Sequence, residues 1–194
     1  MAASAAAFTS MFELPQRSLA SEAFRYDQWR ATSARLDQDP SLVVRLDFER
    51  VGGSDWTLRN AAEKNRSMAE ATIVGCRRAE GRWPEKQALE FQSVNDRMRL
   101  AAPGEFEALT LSAWVRVKGL DRQFNSLFMC AGFEPGTIHW LIRNDGVLGL
   151  TVFGPGAGNF QIMASPPVLT LDTFGLWTHL AVVLDGKARQ VGND

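Results

Sequence analysis

From Leu109 to Lys118 the side chains alternate without a break. Leu109, Leu111, Ala113, Val115 and Val117 take one side, and Thr110, Ser112, Trp114, Arg116 and Lys118 take the other. A period of two is the mark of a half-buried β-strand, because successive Cβ atoms point to opposite faces of a sheet. The same grammar continues on both sides of this run. Between Gly81 and Gly186, short apolar segments are broken by Gly, Pro, Asn and Asp, and the series closes on Trp177-Thr-His-Leu-Ala-Val-Val-Leu-Asp-Gly186. Short strands at this spacing predict an all-β fold built as a sandwich.

The first strand is expected over Leu42 to Phe48, with Val44, Leu46 and Phe48 on one face, followed by a short one at Trp56 to Leu58 and another at Ala71 to Cys76. Ala88 to Phe91 should place Leu89 and Phe91 inward, and Asp96 to Leu100 adds a further strand. Phe124 to Ala131 and Gly136 to Arg143 pair around Phe133-Glu-Pro-Gly136. Asn144-Asp-Gly146 then makes a tight hairpin into Val147 to Phe153, the turn chemistry that left-handed backbone positions require. Phe160 to Met163 is a strand, Ser165-Pro-Pro167 a break, Val168 to Leu171 a strand and Trp177 to Leu184 the last. Gly154 to Gly158 reads as a mobile loop, since no strand-to-helix junction follows that would hold a phosphate.

One helix precedes the strands, from Ser18 to Arg35, with Ser21 capping its start and Asp39-Pro40 ending it. Its aromatic residues Phe24, Tyr26 and Trp29 need a surface, either the outside of the sandwich or a further domain upstream. Trp83, in the turn Gly81-Arg-Trp-Pro84, is expected to plug the edge of the core. The domain plan is a leader or linker over 1–17, a helical lead-in over 18–40 and a β-sandwich over 41–194.

Composition removes some functions. The chain has 194 residues, 45% of them apolar, and its 21 basic and 22 acidic residues are interspersed to a formal charge of −1. No field is present to draw nucleic acid or anionic lipid, so neither is expected as a partner. No run approaches the ~20 apolar residues of a membrane helix. Met1 to Phe12 is small and apolar but lacks a basic n-region, which suits a leader or the stump of something longer. Cys76 and Cys130 show no ligand spacing. They form either one bridge or two buried thiols, and the apolar setting of Met129-Cys130-Ala131 favours thiols.

Taken in order, Leu46-Asp-Phe-Glu49, Ala88-Leu-Glu-Phe91, Leu109-Thr-Leu-Ser-Ala-Trp-Val115 and Trp177 to Gly186 resemble the laminin-G-like members of the concanavalin A-like lectin/glucanase superfamily, over about residues 42 to 186. The resemblance implies a jelly-roll sandwich of two antiparallel sheets. A narrower likeness lies in Phe24-Arg-Tyr-Asp-Gln-Trp29, Asp39-Pro-Ser-Leu-Val-Val44, Gly81-Arg-Trp-Pro84 and Asn125-Ser-Leu-Phe128. These are similar to bacterial FecR-like anti-sigma regulators that carry C-terminal laminin-G-like domains. That likeness implies a place outside the cytoplasm, in the periplasm or at the cell surface, with any membrane attachment supplied by upstream segments. In the family a return strand and further strands follow the last one, whereas this sequence stops at Val191-Gly-Asn-Asp194, so a C-terminally truncated sandwich is expected.

The superfamily's glucanases carry a Glu-x-Asp-x-x-Glu run on one strand, and none exists here. Asp47 and Glu49 alternate suitably, but Arg50 follows and the third carboxylate is missing. Ser112, Ser126 and Ser165 lack a Gly-x-Ser-x-Gly context, so no enzyme activity is expected. Laminin-G-like domains often hold calcium. The resemblance therefore marks Asp47, Asp145 and Asp185, with Asn144, as oxygen donors, although Asn144-Asp-Gly146 and Asp185-Gly186 are also what tight turns need. No other cofactor is required.

Carbohydrate recognition uses flat aromatic faces with planar polar groups beside them. The candidates are Trp114 with Arg116, and Asn125 with His139. His139 lies on the face opposite Ile138, Trp140 and Ile142, where it would line a groove with Arg143. His179, the other histidine, reads as a hydrogen-bonded core or sheet residue, and Trp177 as core. The expected function is a non-catalytic extracytoplasmic module that binds glycan or a protein surface. The alternative is a signal-sensing, protein-contact region of a FecR-like regulator that binds no sugar.

Overall fold

The computed structural model describes residues 19–50, 54–62, 64, 70–102, 104–156 and 158–185. The expected leader at 1–17 and the expected truncation at the C-terminus fall outside the described residues. The fold is mostly β, with one α-helix and several antiparallel sheets among the described residues. It divides into two compact units, Met1–Gly104 and Glu105–Asp194.

The first unit contains α1 (Leu19–Asp37), β1 (Thr57–Leu58), β2 (Ala71–Val74), β3 (Arg77–Glu80), β4 (Gln87–Glu90) and β5 (Arg97–Arg99). Strands β1, β2 and β5 form one antiparallel sheet in that order, and β3 and β4 form a hairpin. Leu58, Ala71 and Ile73 are buried, with Leu46, Phe48, Cys76, Leu89, Met98 and Leu100 packed around them. Helix α1 lies on the β3–β4 turn. Tyr26 and Trp29 are three residues apart and so share a helix face. Their rings stack at 5.7 Å, and both meet Trp83, at 5.5 and 6.1 Å. Trp83 is 7% exposed, and the rings that cover it are those of the helix. Phe24 stays outside this contact and is exposed. Ser21 sits inside the helix and not at its cap. The stop at Asp39 is local chemistry. Its carboxylate accepts the Ser41 hydroxyl and amide at 2.7 and 2.8 Å, which holds its pKa below the ordinary carboxylate value.

Residues 42–48 do not form the expected strand. The buried Asn60 side chain takes the place of a strand partner. Its Oδ1 accepts the Arg45 amide at 2.8 Å and its Nδ2 donates to the Val43 carbonyl at 3.0 Å. Phe48 then adopts φ 63°, which breaks the two-residue alternation. Phe91 is also misplaced by the sequence reading. It is exposed, because the Gln92 and Ser93 amides donate to Asp96 and turn the chain just after β4.

The second unit contains β6 (Ala108–Arg116), β7 (Phe124–Met129), β8 (Ile138–Arg143), β9 (Val147–Phe153), β10 (Phe160–Pro167) and β11 (Trp177–Asp185). Strands β10-β9-β8-β7 make a four-stranded antiparallel sheet, and β11 pairs with β6 in a second. Both sheets contribute to one apolar cluster. Ile138, Trp140, Ile142, Leu150, Val152, Leu169 and Leu180 are buried, and Leu109, Leu111, Ala113, Val115, Val182 and Leu184 pack against them. The alternation read in β6 is thus the alternation observed, and the arrangement is consistent with a β-sandwich.

Asn144-Asp-Gly146 turns β8 into β9 as expected, with Gly146 at φ 79°. The Gly146 carbonyl accepts the Val168 and Leu169 amides at 3.0 and 3.2 Å. That strap makes residues 168–171 a loop and not a strand, with Leu169 sunk to 4% exposure. Strand β10 runs through the expected break at Pro166 and Pro167, with an irregularity after Ala164. Prolines are tolerated there because β10 is an edge strand.

Candidate functional site: an aromatic platform on one sheet face

The pairing of β6 with β11 puts Arg116 opposite Trp177, Trp114 opposite His179, Ser112 opposite Ala181 and Thr110 opposite Val183. Directly opposite residues share a face. Since Leu111, Ala113, Val115, Leu180, Val182 and Leu184 face the core, this second set faces outward. Trp114 is 39% exposed, and its ring lies 5.0 Å from the His179 imidazole at 43°. The Arg116 guanidinium lies 5.2 Å from the centre of the Trp177 ring, within cation–π range.

Two indoles, one imidazole and one guanidinium therefore form a single patch at one end of the sheet pair, and small or hydroxyl side chains continue it. Such a patch offers flat apolar surface to C–H groups and donors to hydroxyls at its rim. Trp114 and Arg116 were legible as candidates. Trp177 and His179 were missed as members of the site, and the signal was present. Leu180, Val182 and Leu184 are in phase along β11, which sends 177, 179, 181 and 183 to the opposite side. Trp177 is accordingly half-buried under Arg116 and not in the core, and His179 is exposed.

The second candidate group does not assemble. His139 is on the expected face of β8 but is only 8% exposed. Its ring lies 5.1 Å from Phe133 and 4.9 Å from Phe153. A carbonyl can only accept, so the 3.1 Å contact from Nε2 to the Gly132 oxygen assigns the proton to Nε2. Arg143 is about 13 Å away along the strand by its rise, and it pairs with Asp145. The two line no common groove. Asn125 is opposite Ile142 and so faces the core side, away from His139. Its Nδ2 donates to the Arg122 and Ile142 carbonyls at 2.9 and 3.2 Å, a structural role.

The proposed calcium donors also separate. Asp47 belongs to the first unit, where it accepts the Glu49 amide at 3.1 Å. Asp145 is held by Arg143 and by the Val147 amide at 3.3 Å. With Asn144 it rims a 350 Å³ surface depression lined largely by Leu120, Leu169, Leu171 and Phe174. Asp185 pairs with Ala108 at the far end of β11. Among the described residues no three His, Cys, Asp or Glu side chains gather in a way that fits a metal ion. Asp47 and Glu49 flank Phe48 and its positive φ, so they do not alternate on a strand, and Glu49 lies 3.2 Å from Lys86. Cys76 and Cys130 are both free thiols. Burial, then the nearby Asp96 charge, pushes the Cys76 thiol above its ordinary value.

Another exposed surface lies on the outer face of the four-stranded sheet. Met129, His139, Thr151 and Ile162 follow one another across the strands, with Phe153 and Phe160 paired alongside. Met129, Phe133, Phe160 and Ile162 are exposed there. No family model, curated protein or solved structure matches this chain.

Proposed function

We propose that this chain is a non-catalytic recognition module of laminin-G-like jelly-roll type, working outside the cytoplasm, and that its ligand is a glycan seated on the β6–β11 platform. The observation that carries the reading is the register that joins Trp114, His179, Arg116 and Trp177 on one outward face. Sugar rings present apolar C–H faces with equatorial hydroxyls, and this patch offers the matching pair of surfaces. No reacting group is asked of the site. A second reading, a protein-contact region of a FecR-like regulator, is favoured by the apolar row Met129, Phe133, Phe160 and Ile162, since contiguous exposed apolar surface marks partner sites.

The test is thermal unfolding with a panel of polysaccharides, in calcium and in chelator, for the native chain and for Trp114→Ala. A saturating glycan at ~100-fold its dissociation constant stabilises by about 2.7 kcal/mol. The expected result is an upward shift with one glycan class that Trp114→Ala abolishes while its ligand-free melt stays close to native. A melt indifferent to every polysaccharide removes the glycan reading and leaves the protein-contact one. A shift that requires calcium brings the ion back into the site.

A further inference from the structure

Strand β10 has a free edge of an unusual kind. It pairs with β9 on one side, and no described strand pairs with the other. Its sequence, Phe160-Gln-Ile-Met-Ala-Ser-Pro-Pro167, contains no charge, and Phe160 to Ala164 are all exposed. Natural edge strands are normally blunted by charge, proline, a bulge or a cover, and in β10 only the end at Pro166 and Pro167 is so guarded. The opposite edge of the same sheet, β7, has a bulge between Ser126 and Phe128. From Phe160 to Ala164, β10 has none, and the irregularity and the two prolines come only afterwards.

The direction of its backbone groups follows from the ladder. The Gly154 amide donates to the Asn159 carbonyl at 2.8 Å, so 154 and 159 are a hydrogen-bonded pair. Bonded and non-bonded pairs alternate in an antiparallel ladder. Gln161 and Met163 therefore bond to β9, while the amides and carbonyls of Phe160, Ile162 and Ala164 point to the open edge. As a check, Phe153, opposite Phe160, sends its amide to Thr137 on its other side at 3.0 Å.

We propose that this edge pairs antiparallel with β10 of a second copy of the chain, joining two four-stranded sheets across a twofold axis. Two demands limit the register, and full overlap of residues 160–164 chooses among the pairings they leave. Cross-strand partners must lie on one face, and the bonded residues must be those that point outward. Ile162 opposite Ile162 of the other copy meets both and is the pairing that engages all of Phe160, Ile162 and Ala164. Phe160 then faces Ala164 and Gln161 faces Met163, a large side chain against a small one at each end. Each of Phe160, Ile162 and Ala164 gives one donor and one acceptor to the junction. The segment is neutral and so does not repel its own copy, and in this register every outward amide of residues 160–164 meets an outward carbonyl of the other copy, a self-match that makes a second copy the occupant.

The experiment is sedimentation equilibrium of the full chain from low micromolar to submillimolar concentration. A reversible dimer is expected. Ile162→Lys places two ammonium groups at the axis and should weaken the dissociation constant about tenfold or more. Ile162→Glu should do the same, and mixing the two variants should restore association, because Lys then faces Glu. Amide exchange supplies a readout that needs no variant. The Phe160, Ile162 and Ala164 amides should gain protection with concentration while Gln161 and Met163 are protected throughout. A chain that stays monomeric, a dimer that Ile162→Lys leaves intact, a mixture no tighter than its parts, or edge amides indifferent to concentration would each overturn the proposal. Glycan binding at the β6–β11 platform is read separately and does not depend on the outcome.

Discussion

Replacing His139 with alanine tests how the outer face of the four-stranded sheet is held together. The imidazole touches Phe133 at 5.1 Å and Phe153 at 4.9 Å, and ring pairs of this kind contribute roughly 0.5–1.5 kcal/mol each. The hydrogen bond to the Gly132 carbonyl contributes about 0.5–1.5 kcal/mol more. Truncation removes all three contacts and also uncovers Phe133, which is already exposed. The expected loss is about 2–4 kcal/mol, which at ~4–8 °C per kcal/mol for a small domain is a large fall in melting temperature. His139→Phe keeps the rings and loses only the hydrogen bond, so it should cost about 1 kcal/mol. Urea unfolding followed by tryptophan fluorescence, with amide exchange across residues 138–142, measures both. A loss under about 0.5 kcal/mol for His139→Ala, the value typical of a solvated surface position, would refute the packing argument.

Gly146→Ala should destabilise by about 2–5 kcal/mol, since φ 79° is strained for alanine and the new Cβ would meet the Leu169 carbonyl oxygen; denaturant midpoints check it. Trp83→Ala should cost about 3–5 kcal/mol and release α1 from the hairpin turn, seen as a loss of helical circular dichroism at moderate temperature. Arg116→Ala, on an exposed sheet face, should stay within about 0.5 kcal/mol of the native chain. The Ser93 and Gln92 amides hold the Asp96 carboxyl below the ordinary value. A depressed folded pKa means the stabilisation is complete above the unfolded value of ~3.9 and is lost as pH falls through the folded one. Asp96→Asn should therefore flatten the acid limb of stability below about pH 4, and an unchanged limb would contradict the assignment.

The elements that were legible in the sequence are those whose side chains obey a local rule. In β6 the period of two appears without interruption, and Asn144-Asp-Gly146 supplies the backbone freedom its hairpin needs, so both were readable in advance. Where a distant side chain intervenes, local pattern fails. Residues 42–48 alternate as a strand should, yet Asn60 occupies their hydrogen-bonding groups from fifteen or more positions away. The bulge near Leu127 in β7 puts Asn125 on the core face and Met129 beside His139, and counting alternate residues does not register such a shift. The platform was half legible. Trp114 and Arg116 stood out on β6, but Trp177 and His179 join them only through strand pairing. His139 was read correctly for face and wrongly for exposure, because its cover, Phe133 and Phe153, comes from a loop and a neighbouring strand.

The pairing that builds the platform joins parts of the chain that are far apart in time as well as in sequence. Sixty-five positions separate Trp114 from His179. At about 5–20 residues per second, a ribosome takes roughly 3–13 s to cover that interval. During it, β7 to β10 can fold by local hairpins, while β6 still lacks the strand it pairs with. Closing such a loop is slow, because its entropy must be overcome before any contact compensates. The patch therefore comes into being with β11, and a chain that ends before Trp177 carries only Trp114 and Arg116 of the four side chains. Assembly of the Trp114–His179 pair is thereby confined to chains whose synthesis has passed β11.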